Sequence, residues 1–452
     1  MIHRIFLTVI LLEQKSGAMA AKKKVLPSPF YDFLLPVTRR HFEIPVFYRS
    51  PVISLLKRAR RAQDRYRKDL TPTVLELEGL RFKIARHFGF CYGVEHAIEK
   101  AYRAIDENEG KRIFLLSEMI HNPHVNEDLK QRGVQFLMKT DGTPLIPLTD
   151  LKPEDVVIIP AFGTTVEMFD LLQSRGIDTQ TYDTTCPFVE KVWNRSSQLG
   201  ERGYTVIIHG RFKHEETRAT FSHALLNAPG MVIQDMEEAA VLAEYICNER
   251  PIDRFFQDFP DRCSPGFRPE ADLTRIGVVN QTTMLATETH AISEFLKSAI
   301  IRRFGDTNLS DHFADTRDTL CYATSENQTA LKEMLTDEGD LALIVGGYNS
   351  SNTSHLVELC EERMPTYYIK DEFELISRDE IRHLDLKSGR VKISSSWMPA
   401  KKSVTILLSA GASCPDALVD RVLNRTAALF GITPEQIEKA LQPYAEMAEA
   451  DL

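Results

Sequence analysis

Gly89–Ala101 reads GFCYGVEHAIEKA, Asp183–Trp193 reads DTTCPFVEKVW, and Thr319–Leu335 reads TLCYATSENQTALKEML. In each stretch one cysteine (Cys91, Cys186, Cys321) stands at the start of a helical pattern. A strand and then a polar loop follow at nearly constant distance. His121 lies 30 residues after Cys91, His214 lies 28 after Cys186, and Ser350 lies 29 after Cys321. A later strand in each unit ends in a second polar loop: AFGTT at Ala161–Thr165, NQTT at Asn280–Thr283 and AGASCPD at Ala410–Asp416. The shared order predicts three related α/β lobes around a pseudo-threefold axis. Ligands of such sheets bind beyond the carboxyl ends of the strands, so all six loops are expected to face one central cavity.

The expected strands are Ile113–Leu116, Val156–Ile159, Thr205–Ile208, Ile276–Val279, Leu341–Val345 and Val404–Leu408, each a short apolar run leading into small or polar residues. Working outward, the chain divides into a basic, partly disordered extension over 1–80, lobe 1 over 81–185, lobe 2 over 186–318, lobe 3 over 319–432, and a terminal helix and tail over 433–452. Residues 247–272 carry proline and charge without a period and read as an insertion in lobe 2.

Hydrophobic residues make up 43% of the 452 and charged residues 26%, an ordinary globular balance. No apolar run reaches the ~18 residues of a membrane-spanning helix, so no membrane partner is expected. The seven cysteines are too few and too scattered for a disulfide framework, which favours a reducing compartment. Net charge is −9, unevenly spread: residues 1–80 hold 15 Lys and Arg against 7 Asp and Glu, leaving the remainder at −17. An acidic body argues against nucleic-acid binding. Ile5–Leu12 resembles a signal-peptide core but lacks a clear cleavage site, and Met19 opens a second plausible start. Acidic residues in the head and the lack of a Ser-rich run favour the cytoplasm over a plastid address.

Three cysteines at the centre of three lobes suit a [4Fe–4S] cluster with three protein ligands and one open iron. A helix N-terminus beside each favours its thiolate. Two other readings stay open on spacing alone. Zinc is one, although close CxxC pairs are absent. Three unrelated buried thiols is the other. Cys247, Cys263, Cys360 and Cys414 read as packing residues. His121, His214, Ser350, Ser351, Asn352 and Ser413 are hydrogen-bonding groups at strand ends and suit a phosphate or diphosphate. Ser350–Asn352 equally suit a helix cap. Glu216, in HEET, is the candidate acid. Its neighbour Glu215 reads as an exposed first-turn carboxylate favoured by the helix dipole. Thr282 and Thr283 are placed to orient a hydroxyl.

Eight motifs in order, GFCYGV, HNPHV, DTTCP, HEET, NQTTM, CYAT, NSSN and AGASCPD, make residues 81–432 resemble the 4-hydroxy-3-methylbut-2-enyl diphosphate reductase family. The resemblance implies a trefoil of three α/β lobes around an oxygen-sensitive [4Fe–4S] cluster held by Cys91, Cys186 and Cys321. It implies Glu216 as proton donor and Thr282 beside the substrate hydroxyl. His121 and His214 become substrate-pocket histidines, and Ser350, Asn352 and Ser413 diphosphate anchors, with Ser351 adjoining them. Where many members carry AHG this chain has Ala161-Phe162-Gly163, so one histidine contact is missing. Thr164, Thr165 or backbone N–H groups are the candidates to replace it. Many members also read HPE where this chain has His214-Glu215-Glu216. Both features, and the insertion before NQTT, look similar to the cyanobacterial and plant-type branch.

The implied reaction is reductive dehydroxylation of an allylic diphosphate to isopentenyl and dimethylallyl diphosphate, with the substrate hydroxyl at the open iron. No GxGxxG fingerprint sits at a strand–helix junction, so electrons are expected from a ferredoxin or flavodoxin rather than bound NAD(P)H. The basic head is a candidate for docking such an acidic donor. The alternatives are another three-cysteine cluster enzyme of similar build, such as quinolinate synthase, or a non-enzymatic metal-stabilised binder.

Overall fold

The computed structural model describes residues 42–314, 316 and 319–449. The readings of Ile5–Leu12 and of a start at Met19 lie outside these residues.

The threefold expectation is met at the level of strand order. In the first lobe, strand Ile113–Leu115 lies between Gln135–Phe136 and Val156–Ile158, all parallel. In the second, Thr205–His209 lies between Gly230–Ile233 and Ile276–Asn280, again parallel. In the third, Leu341–Val345 lies between Thr366–Ile369 and Val404–Ala410, also parallel. Each lobe therefore places its first strand centrally, its second on one side and its third on the other. Each is entered through a helix that begins directly after one of the three cysteines: Tyr92–Glu107, Pro187–Glu201 and Tyr322–Met334.

The central strands were legible because parallel strands are covered on both faces and become continuous apolar runs. Leu341–Val345 (LALIV) and Ile276–Asn280 (IGVVN) are buried at every position. All six expected strands are present: Leu341–Val345 has the expected bounds, and the other five differ at their C-terminal end by one or two residues.

Two boundaries differ from expectation. Residues 1–80 are not only an extension. Helix Pro51–Gln63 is capped by Ser50, whose side chain accepts from Ile53 N, and starts with proline at its first position. It buries Ile53, Leu56 and Ala59. Strand Thr73–Leu77 pairs antiparallel with Leu80–Ile84, and Leu80–Ile84 pairs parallel with Val404–Ala410. The hairpin thus extends the sheet of the third lobe, although residues from 81 onward were assigned to the first. The physical reason is its apolar face: Leu75, Leu80 and Phe82 complete the core that Leu341–Val345 and Val404–Ala410 begin. The terminal helix Pro434–Glu449 closes the same core with Ile437 and Leu441, and its Tyr444 hydroxyl donates to Val74 O.

The insertion at 247–272 has no long element but is not peripheral. Its Phe255, Phe259 and Phe267 are buried in the second lobe's core against Tyr245, Ile246 and Ile292. A second addition, the antiparallel hairpin Glu380–Asp385 and Arg390–Ser395, forms the far edge of the third lobe's sheet. No helix among the described residues is long and apolar enough to cross a membrane.

Candidate active site

The three cysteines occupy equivalent places. Each is the N-cap residue of its helix in extended conformation. Their sulfurs face one another closely enough for Cys321 to add to the upward pKa shift at Cys91, and for Cys91 and Cys321 to add to that at Cys186. Burial is the main cause of each shift and takes the Cys91 thiol to about 12. Backbone N–H groups oppose it: Gly93 and Val94 toward Cys91, Phe188 toward Cys186, Ala323 and Thr324 toward Cys321. Such a site makes bare thiolates costly and rewards a cationic group bound among them. The cysteines are also closely fitted to one another's helices. A Cβ on Gly93 would stand 2.5 Å from Cys186 Sγ, so only glycine fits two residues after Cys91. Among the described residues, no group of three or more His, Cys, Asp or Glu is arranged to hold a metal ion. The donor set of three converging thiols with N–H groups aimed at sulfur fits a larger, thiolate-held group.

Above the thiols lie the loops. The His121 ring stacks on Phe162 with centroids 4.2 Å apart, and His214 stands edge-on to His121 at 4.9 Å. Burial drives the His121 pKa down to about 3 and that of His214 well below its usual value, so both rings are neutral in the free protein. The tautomer of His214 follows from its bonds. Its Nδ1 accepts from Glu216 N at 3.2 Å, which puts the proton on Nε2. That Nε2 is buried without a partner, an orphan donor of the kind a ligand satisfies. The third lobe adds Ser350, Ser351 and Asn352 at the N-terminus of helix Ser351–Glu361. The capping reading of Ser350 holds: its Oγ accepts from Thr353 N (3.3 Å) and from Thr353 Oγ1 (2.9 Å), leaving its own proton to donate. Ser351 Oγ is buried with no partner. Asn352 Oδ1 accepts from Ala412 N at 2.9 Å, and Ser413 Oγ donates to His121 O at 3.2 Å, tying AGASCPD to both neighbouring loops.

Glu216 is 1% exposed. Burial raises its pKa to about 7, against the opposing pull of Thr282. Thr282 N donates to Glu216 Oε1 at 2.5 Å. Thr283 Oγ1 accepts from Gln281 Nε2 at 2.7 Å. Gln281, which the motif reading passed over, also accepts from Arg211 N (3.1 Å) and Thr217 Oγ1 (3.0 Å), locking NQTT against HGRFKHEET. Its signal was its place inside NQTT, where a buried amide can serve both loops.

Two readings are corrected. Glu215 is not an exposed first-turn carboxylate. It is 7% exposed, its Oε2 accepts from Ser117 Oγ at 2.8 Å, and burial raises its pKa to about 8. The reason lies in the first lobe, whose loop after Leu115 covers it. Thr165, a candidate to replace the missing histidine, caps helix Val166–Ser174 by accepting from Met168 N, and its hydroxyl is hydrogen-bonded to Glu167. Phe162 instead covers the His121 ring.

The Glu215 environment predicts a pH effect on stability. Its pKa is raised on folding, so the folded chain holds the proton more tightly, and stability falls as pH rises from 4.5 through about 8. Glu215→Gln removes up to about 1.4 kcal/mol of this dependence per pH unit. Melting temperatures compared at pH 5 and pH 8 should fall less in the variant than in the wild type. Equal falls would mean that Glu215 ionises freely in the folded chain.

The LytB protein family matches residues 82–427, more than half of the chain. The 4-hydroxy-3-methylbut-2-enyl diphosphate reductase of Gloeobacter violaceus is 38% identical over 357 residues, covering 78% of this chain and 84% of the relative. The enzyme of the same name from Synechococcus sp. (strain WH7803) is 40% identical over 351 residues, covering 77% and 86%. In three dimensions the chain is similar to the E-1-hydroxy-2-methyl-but-2-enyl-4-diphosphate reductase of Plasmodium falciparum, with a TM-score of 0.55 over 78% of this chain and 89% of that one at 21% identity, a likeness of fold.

Proposed function

The chain belongs to the LytB family, and on that premise we propose that it reduces (E)-4-hydroxy-3-methylbut-2-enyl diphosphate to isopentenyl and dimethylallyl diphosphate, the terminal step of the non-mevalonate pathway. The observation that carries this reading is the convergence of Cys91, Cys186 and Cys321 at the N-termini of three equivalent helices, beneath loops rich in neutral hydrogen-bond donors. These cysteines would hold a [4Fe–4S] cluster. Bound there, such a group supplies electrons one at a time and a Lewis-acidic iron for the substrate hydroxyl.

The protein's part is binding, orientation and proton transfer. His214 Nε2–H, Ser350, Ser351 and Asn352 offer donors that anchor the diphosphate, assisted by the N-terminus of helix Ser351–Glu361, and Ser413 joins them by turning its hydroxyl from His121 O to the ligand. A bound anion favours protonation of His121 and His214, so their low pKa values belong to the empty pocket. Thr282 and Thr283 orient the substrate hydroxyl. Glu216, about half protonated near pH 7 where an ordinary carboxyl would be ionised, gives its proton to the departing oxygen. The C–O bond breaks, water leaves, and the allylic carbons take two electrons and a second proton. The electrons come from an external one-electron carrier of the ferredoxin or flavodoxin type. We place the protein in the cytoplasm, where reducing conditions keep the thiols of such a centre unoxidised.

The test is anaerobic turnover of the allylic diphosphate with reduced methyl viologen. Formation of the two five-carbon diphosphates supports the reading, and none from iron-loaded protein contradicts it. The Phe162 position adds a sharper check. Its ring lies 4.2 Å from His121 and 5.8 Å from His214, so an imidazole at 162 enters the anion pocket. Phe162→His is expected to lower KM by about 10- to 100-fold, the value of about one hydrogen bond to a charged group. An unchanged KM would show that the missing histidine costs this chain nothing.

A further inference from the structure

We propose that helix Pro51–Gln63 and the turn after it form the docking surface for a small acidic electron-carrier protein, beside the loop that bears Cys91. The inference rests on the reductase reading, because it supposes that electrons are delivered to the three-cysteine centre.

The helix holds Lys57, Arg58, Arg60 and Arg61 and no acid. Its inner face is buried in the core through Ile53, Leu56 and Ala59. Two nearby carboxylates are engaged by buried or half-buried arginines: Asp69 pairs with Arg60 at 2.9 Å, and Asp64 lies 3.8 Å from Arg86. Arg58, Arg61, Arg65 and Lys68 point outward and are exposed. Among the described residues no ion pair engages Arg58, Arg65 or Lys68. Tyr66, 83% exposed, stands in their midst, the aromatic and arginine mixture that anchors protein interfaces. Everything after residue 80 carries a net charge of −17, so an acidic partner is repelled by the body and drawn to this face.

Position makes the charge useful. Lys57 Nζ donates to Phe88 O at 3.0 Å and pairs with Asp416 at 2.7 Å, while its charge lies 4.4 Å from the centre of the Phe88 ring. Tyr48, just before the helix, sets its ring 5.8 Å from that of Phe90. Phe88 and Phe90 lead directly into Cys91. The basic helix therefore touches the loop of a proposed cluster ligand through Lys57, and a carrier seated there lies against the support of that loop.

Removing residues 1–80 would strip a strand and core residues, so charge reversal in the full chain is the cleaner test. The variant is Arg58→Glu/Arg65→Glu/Lys68→Glu, loaded with iron and sulfide anaerobically. Binding of a plant-type ferredoxin at low salt is expected to weaken at least about tenfold, and ferredoxin-driven kcat/KM to fall by about 10- to 100-fold with a flatter salt dependence. Turnover with reduced methyl viologen, which needs no docking, should stay at the wild-type rate. A fall in the viologen rate would indicate misfolding, and the Arg58→Gln/Arg65→Gln/Lys68→Gln variant then decides by the same binding measurement. Unchanged ferredoxin binding and salt dependence overturn the proposal. So does wild-type binding of an RNA oligonucleotide that is tighter than ferredoxin binding and lost in the variant. Absence of viologen turnover in wild type would instead strike the reductase reading, with ferredoxin binding still judging the surface.

Discussion

Glu216→Gln is expected to lower kcat by roughly 10²- to 10⁴-fold while KM changes little, the loss typical of a positioned general acid. Gln keeps the volume and can still accept from Thr282 N, so the pocket survives and only the proton is lost. The acid is poised by burial near pH 7, which fixes the sign of the pH profile. The donating form is present below that value and vanishes above it, so wild-type kcat should decline as pH rises through about 7. Glu215 titrates nearby, at about 8, and is the confounding group. Glu215→Gln should keep both the rate and the falling limb. If the limb instead persists in Glu216→Gln and disappears in Glu215→Gln, the roles of the two carboxyls are reversed.

Each of Cys91→Ser, Cys186→Ser and Cys321→Ser is expected to lose most bound iron and at least about 10³-fold in activity, since a hydroxyl is a poor substitute for a soft thiolate ligand. The folded chain should persist without iron, because all three lobes have apolar cores of their own. Gly93→Ala is the subtler counterpart. It leaves every ligand in place, yet its Cβ enters the space beside Cys186 Sγ. Iron content should fall along with activity. Full iron in Gly93→Ala would mean that the Cys186 sulfur moves aside freely, and that the close fit has no part in holding a cluster.

The sequence exposed the threefold plan because the chemistry repeats on a near-constant interval, and because parallel strands such as Val404–Ala410 must be apolar on both faces. It hid what depends on partners distant in the chain. Leu80–Ile84 alternates apolar and charged residues and looks like the edge of the domain that follows it. Only its pairing with Val404–Ala410 assigns it to the third lobe. Arg390–Ser395 is almost wholly exposed and has only Val391 and Ile393 as apolar residues, so no apolar run announces it. Within the site, Glu215 and Glu216 are indistinguishable by spacing, both in the first turn of one helix. The difference comes from Ser117 in the first lobe and Thr282 at a strand end of the second. Phe162 carries no donor, as its identity alone says, and only its position shows that its ring also covers His121.

The central claim is that three cysteines from three lobes hold one iron–sulfur group whose open iron meets the substrate. Metal analysis of anaerobically purified protein, with EPR of the dithionite-reduced sample before and after adding the allylic diphosphate, tests it most directly. The account predicts about four irons per chain and a signal altered by substrate. One zinc per chain, or an iron signal indifferent to the allylic diphosphate, would contradict it.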